Sequence, residues 1–219
     1  MKPSKLFQEC AYEIQYETTG FDVNYAFKTS GNTLYIYFQG SSSWIDWFRN
    51  FFFAKKIYKK YKVHRGFYNA YSEVRNIILD KVYQIYKQDL KVVVVGYSHG
   101  SAVSQIAHED LVYHFPNLDI KTYAFESPRA FKVRKKYRDV WKNMVVIEDN
   151  WDIVCHLPPK LFGFSDLGKR LKIKGDISLV KNCLPKCIKS HYPECVLDGL
   201  LKFEKHRQLV FLKDIEDEQ

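Results

Sequence analysis

Four consecutive valines at positions 92–95 run straight into Gly96-Tyr97-Ser98-His99-Gly100, and a helix-patterned stretch follows with no linker. A β-branched run with no polar residue on either face suits a strand covered on both sides, as strands are inside a parallel sheet. Two glycines flanking a serine leave room for neighbouring backbone where such a strand turns sharply into a helix. This junction constrains the fold more than any other part of the chain, because it requires an open sheet with helices packed over it.

The flanking segments agree. Residues 33–38 are β-branched and aromatic and stop before Gly40, and residues 120–125 and 144–147 are two more short apolar runs, so three further strands are expected. Between them, residues 66–87 carry Phe67, Tyr71, Val74, Ile78, Val82 and Ile85 at helical spacing. Residues 101–114 read as a second helix that stops before Pro116. Alternating strands and helices predict an α/β fold with a mostly parallel central sheet and helices on both faces.

With 219 residues, 46% hydrophobic and 27% charged, the chain reads as one globular domain over 1–219. No apolar run approaches the ~18 residues of a membrane-spanning helix, so the protein is expected to be soluble or to lie on a membrane. The start, Met1-Lys2-Pro3-Ser4-Lys5, is followed by no apolar signal core, and an intracellular (cytoplasmic) or peripheral-membrane location is expected. Five cysteines, an odd number, argue weakly against a complete disulfide framework. A net charge of +9 admits nucleic acid or anionic lipid as a partner. No nucleic-acid motif accompanies it, so nucleic acid is not expected.

Ser98 stands where a nucleophile would be exposed at the carboxyl end of the sheet, over a helix N-terminus whose dipole and N–H groups favour an oxyanion. A serine needs a base, and the base an orienting carboxylate. On such a sheet they follow in the order Ser, acid, His. Of seven histidines, His64 precedes the serine, and His99, His108 and His114 lie on its helix. His156 lies too close to the best acid, and His206 falls in a patterned terminal helix over 200–212. His191, in a loop-like stretch between Pro185 and Pro193, is preferred. Asp152, in apolar surroundings after the strand 144–147, is the preferred acid, with Asp149 as the alternative.

Two segments remain open. Residues 48–62 interleave Phe48, Phe51, Phe52, Phe53, Ile57, Tyr58 and Tyr61 with Arg49 and five lysines. They suit either an amphipathic surface helix or a lid meeting an anionic lipid surface. Near the C-terminus, Cys183, Cys187, His191 and Cys195 recur every four residues. Three Cys and one His form an accepted zinc set, which would remove His191 from base duty. One continuous helix would spread these ligands too far for a single tetrahedron. Pro185 and Pro193 break such a helix and permit a folded-back loop, and a disulfide among the three cysteines is a further alternative.

Taken together, the blocks resemble the class 3 lipases, the fungal-lipase-like branch of the α/β-hydrolases. Phe38-Gln39-Gly40-Ser41-Ser42-Ser43, with Asp46-Trp47 and Asn50, is similar to that family's oxyanion loop and lid entry. Val63-His64-Arg65-Gly66-Phe67, Phe125-Glu126-Ser127-Pro128-Arg129 and the loop from Asp152 to Pro159 resemble three further signatures, and Ser190-His191 falls where the family places its last histidine. The resemblance implies Ser98 as nucleophile, Asp152 as acid and His191 as base, with the N–H groups of His99 and Ser41 holding the oxyanion. It places a lid at 44–62, with Trp44, Trp47, Phe51, Phe52 and Phe53 facing the interface, and implies no metal and no cofactor. The implied activity is hydrolysis of acyl-lipid or small esters by a lipase or phospholipase A1-like enzyme. The contrasting reading is a lipid-binding module without turnover, which has no need of all three residues. Three positions depart from the family pattern: Gln39 for Arg, Glu126 for Gly and Cys155 for Pro. Of these, Glu126 calls for a cationic partner such as Arg129.

Overall fold

The computed structural model describes residues 2–19, 23–39, 54–86 and 90–216, with side chains as far as Arg207. In chain order the described strands are β1 (Glu17–Thr18), β2 (Asn24–Ser30), β3 (Thr33–Gln39), β4 (Lys55–Tyr58), β5 (Tyr61–His64), β6 (Lys91–Tyr97), β7 (Ile120–Phe125), β8 (Phe131–Lys132), β9 (Met144–Asp149) and β10 (Lys169–Ile173). The described α-helices are α1 (Pro3–Gln8), α2 (Arg65–Ile85), α3 (His99–His114), α4 (Lys186–Lys189) and α5 (Pro193–Glu216). Seven strands form the main sheet in the order β1-β2-β3-β6-β7-β9-β10. From β3 to β10 all neighbours are parallel, while β1 and β2 extend one edge antiparallel. The valine run occupies the centre, as its two-sided apolar pattern requires.

Side chains alternate across the sheet and feed two cores. Leu34, Ile36, Phe38, Val92 and Val94 pack with α2 and α3 on one face. Tyr37, Val95 and Phe125 pack on the other with Leu6 and Phe7 of α1 and Val196 and Leu200 of α5. The register pairs Gln39 with Tyr97, Tyr97 with Phe125 and Phe125 with Ile147. The carboxyl ends of β3, β6, β7 and β9 therefore stand side by side, and loops leaving them can converge.

Two expectations are corrected. Residues 55–64 form no amphipathic helix: β4 and β5 make a hairpin that joins β8 in a separate antiparallel sheet. Lys59 takes the left-handed turn position at φ 51°. Tyr58, Tyr61 and Val63 turn inward while Lys60 and Lys62 face out, a period of two that a helical reading of the spacing hides. Second, Pro193 starts a helix rather than breaking one. It opens α5, where a missing N–H costs nothing.

Candidate active site

The serine elbow is built by close approach. Between β6 and α3, Ser98 adopts φ 57° and ψ −125°, a region that costs a residue with a Cβ roughly 1–3 kcal/mol. Neighbouring bonds hold it there: its N–H donates to the Phe125 carbonyl at 3.0 Å, and its own carbonyl accepts from the N–H (3.0 Å) and hydroxyl (2.5 Å) of Ser101. A Cβ on Gly96 would lie 2.6 Å from the Gly100 carbonyl oxygen, and one on Gly100 would lie 2.4 Å from that of Phe38. Both glycines are thus required by contact with backbone.

His191 lies in the turn between α4 and α5, its Nε2 2.7 Å from Ser98 Oγ. Its Nδ1 is 2.6 Å from Asp152 Oδ2. A carboxylate on Nδ1 holds the proton there and leaves Nε2 as an acceptor facing the serine hydroxyl. Tyr97 fixes the ring from below, stacking on it at 5.5 Å and 21° while its hydroxyl donates to the His191 carbonyl. Phe7 in turn packs edge-on against Tyr97 and Phe125. The N-terminal helix thus reaches the site through two layers of aromatic rings, a contribution that the sequence reading missed.

Asp152 is fully buried and comes from the loop after β9, with its Oδ1 accepting the Val154 N–H at 2.9 Å. Burial pushes its carboxyl up, but the facing His191, Glu126 and the Val154 N–H outweigh that and hold it below the ordinary aspartate value. Asp149, the alternative acid, is engaged elsewhere: its oxygens accept the N–H groups of Trp151 (2.9 Å) and Gly175 (2.7 Å).

Beside Asp152 lies a side chain whose role the sequence left unexplained. Glu126, one residue past β7, is fully buried at a left-handed φ of 47°. Its expected partner Arg129 instead binds Asp166 at 2.6 Å and the carbonyls of His156 and Pro158, clamping the loop after Asp152. Glu126 accepts the Asp149 N–H at 2.8 Å and has a carboxylate oxygen within 4.8 Å of one of Asp152. The Cys155 thiol lies 3.2 Å from Glu126 Oε2 and 3.3 Å from Asp152 Oδ2. Burial, and then the charge of Asp152, push the Glu126 carboxyl far above the usual range, so it is neutral and able to donate.

His99 opens α3 directly after Ser98, which places its N–H in the first helical turn, ahead of the helix's own hydrogen-bond ladder. Its ring is buried against Phe67, and burial followed by the nearby His64 lowers its pKa to about 4. The side chain is therefore neutral. Ser41, Trp44, Trp47, Phe51, Phe52 and Phe53, the other expected oxyanion and lid residues, lie outside the described residues.

The zinc alternative is overturned. Cys183 is exposed, Cys187 half-buried and Cys195 buried, with its thiol on the Asp176 carbonyl. Both ring nitrogens of His191 face Ser98 and Asp152 instead. All five cysteines are free, so the disulfide alternative is not seen either. Among the described residues, the group of potential ligand atoms close enough for one ion is Glu126, Asp152 and Cys155, mutually within 4.8 Å. An ion there would compete with His191 for Asp152.

Ser98, His191 and Asp152 are thus brought into one hydrogen-bonded line at a helix N-terminus. Such a line can move a proton off a hydroxyl while backbone N–H groups face developing negative charge. A family model described as Lipase (class 3) matches residues 35–162, more than half of the chain. A lipase of Rhizomucor miehei is 34% identical over 152 residues, 64% of this chain and 41% of that protein. Lipase II of Rhizopus niveus superposes with TM-score 0.67 at 27% identity, covering 84% of this chain and 77% of its own. A triacylglycerol lipase whose catalytic centre is a serine protease triad superposes with TM-score 0.65 at 29% identity, covering 85% and 78%. The chain spans about half the length of the curated relatives it matches.

Proposed function

We propose a reaction for this chain from one premise: it belongs to the class 3 lipase family. The reaction is hydrolysis of carboxylic esters of acyl lipids through an acyl-enzyme. Ser98 Oγ attacks the ester carbonyl carbon as His191 Nε2 takes its proton, and the Asp152 carboxylate stabilises the imidazolium. The oxyanion meets the His99 N–H and, on the family resemblance, that of Ser41, each donor contributing roughly 3–4 kcal/mol in the transition state. Collapse expels the alkoxide, which takes the proton from Nε2. Water then attacks the acyl-enzyme by the same route and releases the acid and the serine hydroxyl.

The observation that carries this reading is the alignment of 2.7 Å and 2.6 Å contacts through His191 at a left-handed serine. A lipid-binding module without turnover requires no such alignment. The test is hydrolysis of a panel of p-nitrophenyl and acylglycerol esters by wild type and Ser98→Ala. Ester cleavage lost in the variant supports the reaction, and cleavage retained in Ser98→Ala refutes it.

We also propose contact with an anionic lipid surface. A groove of about 600 Å³ beside the β4–β5 hairpin is lined by Lys60, Lys62, Lys132 and Arg134. Lys62 and Lys132 are direct cross-strand partners, an unfavourable placement that an external anion would relieve. Nearby Ile57 is 76% exposed. No helix among the described residues is long and apolar enough to cross a membrane. Binding to phosphatidylglycerol vesicles that weakens with salt supports this contact; equal, salt-insensitive binding to phosphatidylcholine vesicles refutes it.

A further inference from the structure

We propose that Glu126 and Cys155 act as a clamp that positions the Asp152 carboxylate against His191. The inference rests on the ester-hydrolase reading above. Both residues depart from the family pattern, and although they come from different loops they meet at one side chain. The Cys155 sulfur lies 3.2 Å from Glu126 Oε2 and 3.3 Å from Asp152 Oδ2, and polar atoms of the three side chains lie within 4.8 Å of one another.

Two fully buried carboxyl groups this close cannot both ionise cheaply, so one of them holds a proton. Asp152 faces the imidazole that becomes cationic, together with the Val154 N–H. Glu126 has only neutral donors, the Asp149 N–H and the Cys155 thiol. The other ionisable groups that feel Glu126 are Tyr97, whose hydroxyl is engaged with the His191 carbonyl, and Arg170 from β10. The proton therefore resides on Glu126, beside the Asp152 carboxylate.

The arrangement is costly in two ways: a residue with a Cβ is held at φ 47°, and a carboxyl group is fully buried. Its benefit lies in the acid. Glu126, the Cys155 thiol and the Val154 N–H surround the carboxylate and keep Oδ2 aimed at Nδ1.

The test compares wild type, Glu126→Gln and Glu126→Ala in steady-state ester hydrolysis from pH 5 to 9. Gln keeps a neutral donor, and its kcat should stay within ~3-fold of wild type. Ala should lose roughly 10- to 100-fold in kcat at nearly constant KM, the worth of one hydrogen bond to a charged acceptor. Thermal melts give an independent arm. A buried Glu with a raised pKa loses stability as pH rises above its unfolded value, and Gln does not. The Tm advantage of Glu126→Gln should therefore grow between pH 5 and pH 8. If Glu126→Ala fails to fold, Glu126→Gly, which removes the backbone strain, replaces it in the kinetic comparison.

Wild-type kcat in the Ala or Gly variant, a Gln variant as impaired as Ala, or a constant Tm gap would each overturn the clamp. Absence of Ser98-dependent turnover in wild type would instead overturn the reaction, while the melts would still report where the proton sits.

Discussion

A single methyl group at residue 100 tests how closely the serine elbow is held against the neighbouring strand. An added Cβ on Gly100 would lie 2.4 Å from the Phe38 carbonyl oxygen, 2.5 Å from the carbonyl carbon and 2.6 Å from the Gln39 nitrogen. All three atoms are backbone at the end of β3, which is hydrogen-bonded along its length to β6, so no rotamer change relieves the clash. Ordinary contact begins near 3.4 Å, so strand and helix must separate by about 1 Å, an overpacking that costs roughly 1–3 kcal/mol. In a domain of this size that lowers Tm by about 2–12 °C. The larger effect is on rate. The separation moves the first turn of α3, with the His99 N–H, relative to the end of β3. Misplacement of that order costs ~10²-fold in kcat. Differential scanning fluorimetry and steady-state hydrolysis of a p-nitrophenyl ester read both effects. A Gly100→Ala protein with wild-type Tm and kcat would refute the close approach and the elbow geometry built on it.

Asp152→Asn should preserve the fold and lower kcat by about 10⁴-fold, because an amide beside Nδ1 favours the wrong imidazole tautomer; steady-state kinetics and a circular dichroism spectrum check this together. Arg129→Ala removes the guanidinium that binds Asp166 and two carbonyls of the loop after Asp152, and should cost about 3 kcal/mol in urea denaturation, since it breaks a largely buried ion pair. His99 and His108, each with its pKa lowered to about 4 by burial, bind a proton near pH 6.5 only once unfolded. Stability should therefore fall with pH below that value, by ~2 kcal/mol per histidine between pH 7 and pH 5. Equal denaturation midpoints at the two pH values would contradict this assignment.

The parts of the fold that could be read from the chain are those where local pattern and tertiary role coincide. The valine strand, its glycine-flanked turn and the helix after it obey one pattern from residue 91 to residue 114, and they form β6, the elbow and α3. The hairpin at 55–64 was hidden because Lys59-Lys60 carries none of the Asn-Gly chemistry that marks a two-residue turn. Its alternating aromatics and lysines also fit a helical wheel. Strand β2, beside the two-residue edge strand β1, and the last strand β10 are mostly half-buried or exposed, so neither produces a strong apolar run.

Within the site, order along the chain and loop placement were enough to select Ser98, Asp152 and His191, which the fold brings together. The surroundings were not legible. Arg129 follows Glu126 closely in sequence, yet the turn between them sends the guanidinium to Asp166. Tyr97 and Phe7 support the imidazole from residues far away in the chain, and nothing local marks them for that task. Glu126 reads as an oddity in sequence, because its function depends on a contact with Cys155 that only the fold creates.

Treating the folded protein with a fluorophosphonate and mapping the adduct by peptide mass spectrometry tests the account most directly. The reagent should attach once, on Ser98, with no adduct on Ser98→Ala and strongly slowed labelling on His191→Ala. An unlabelled wild-type protein, or an adduct on a different side chain, would contradict it.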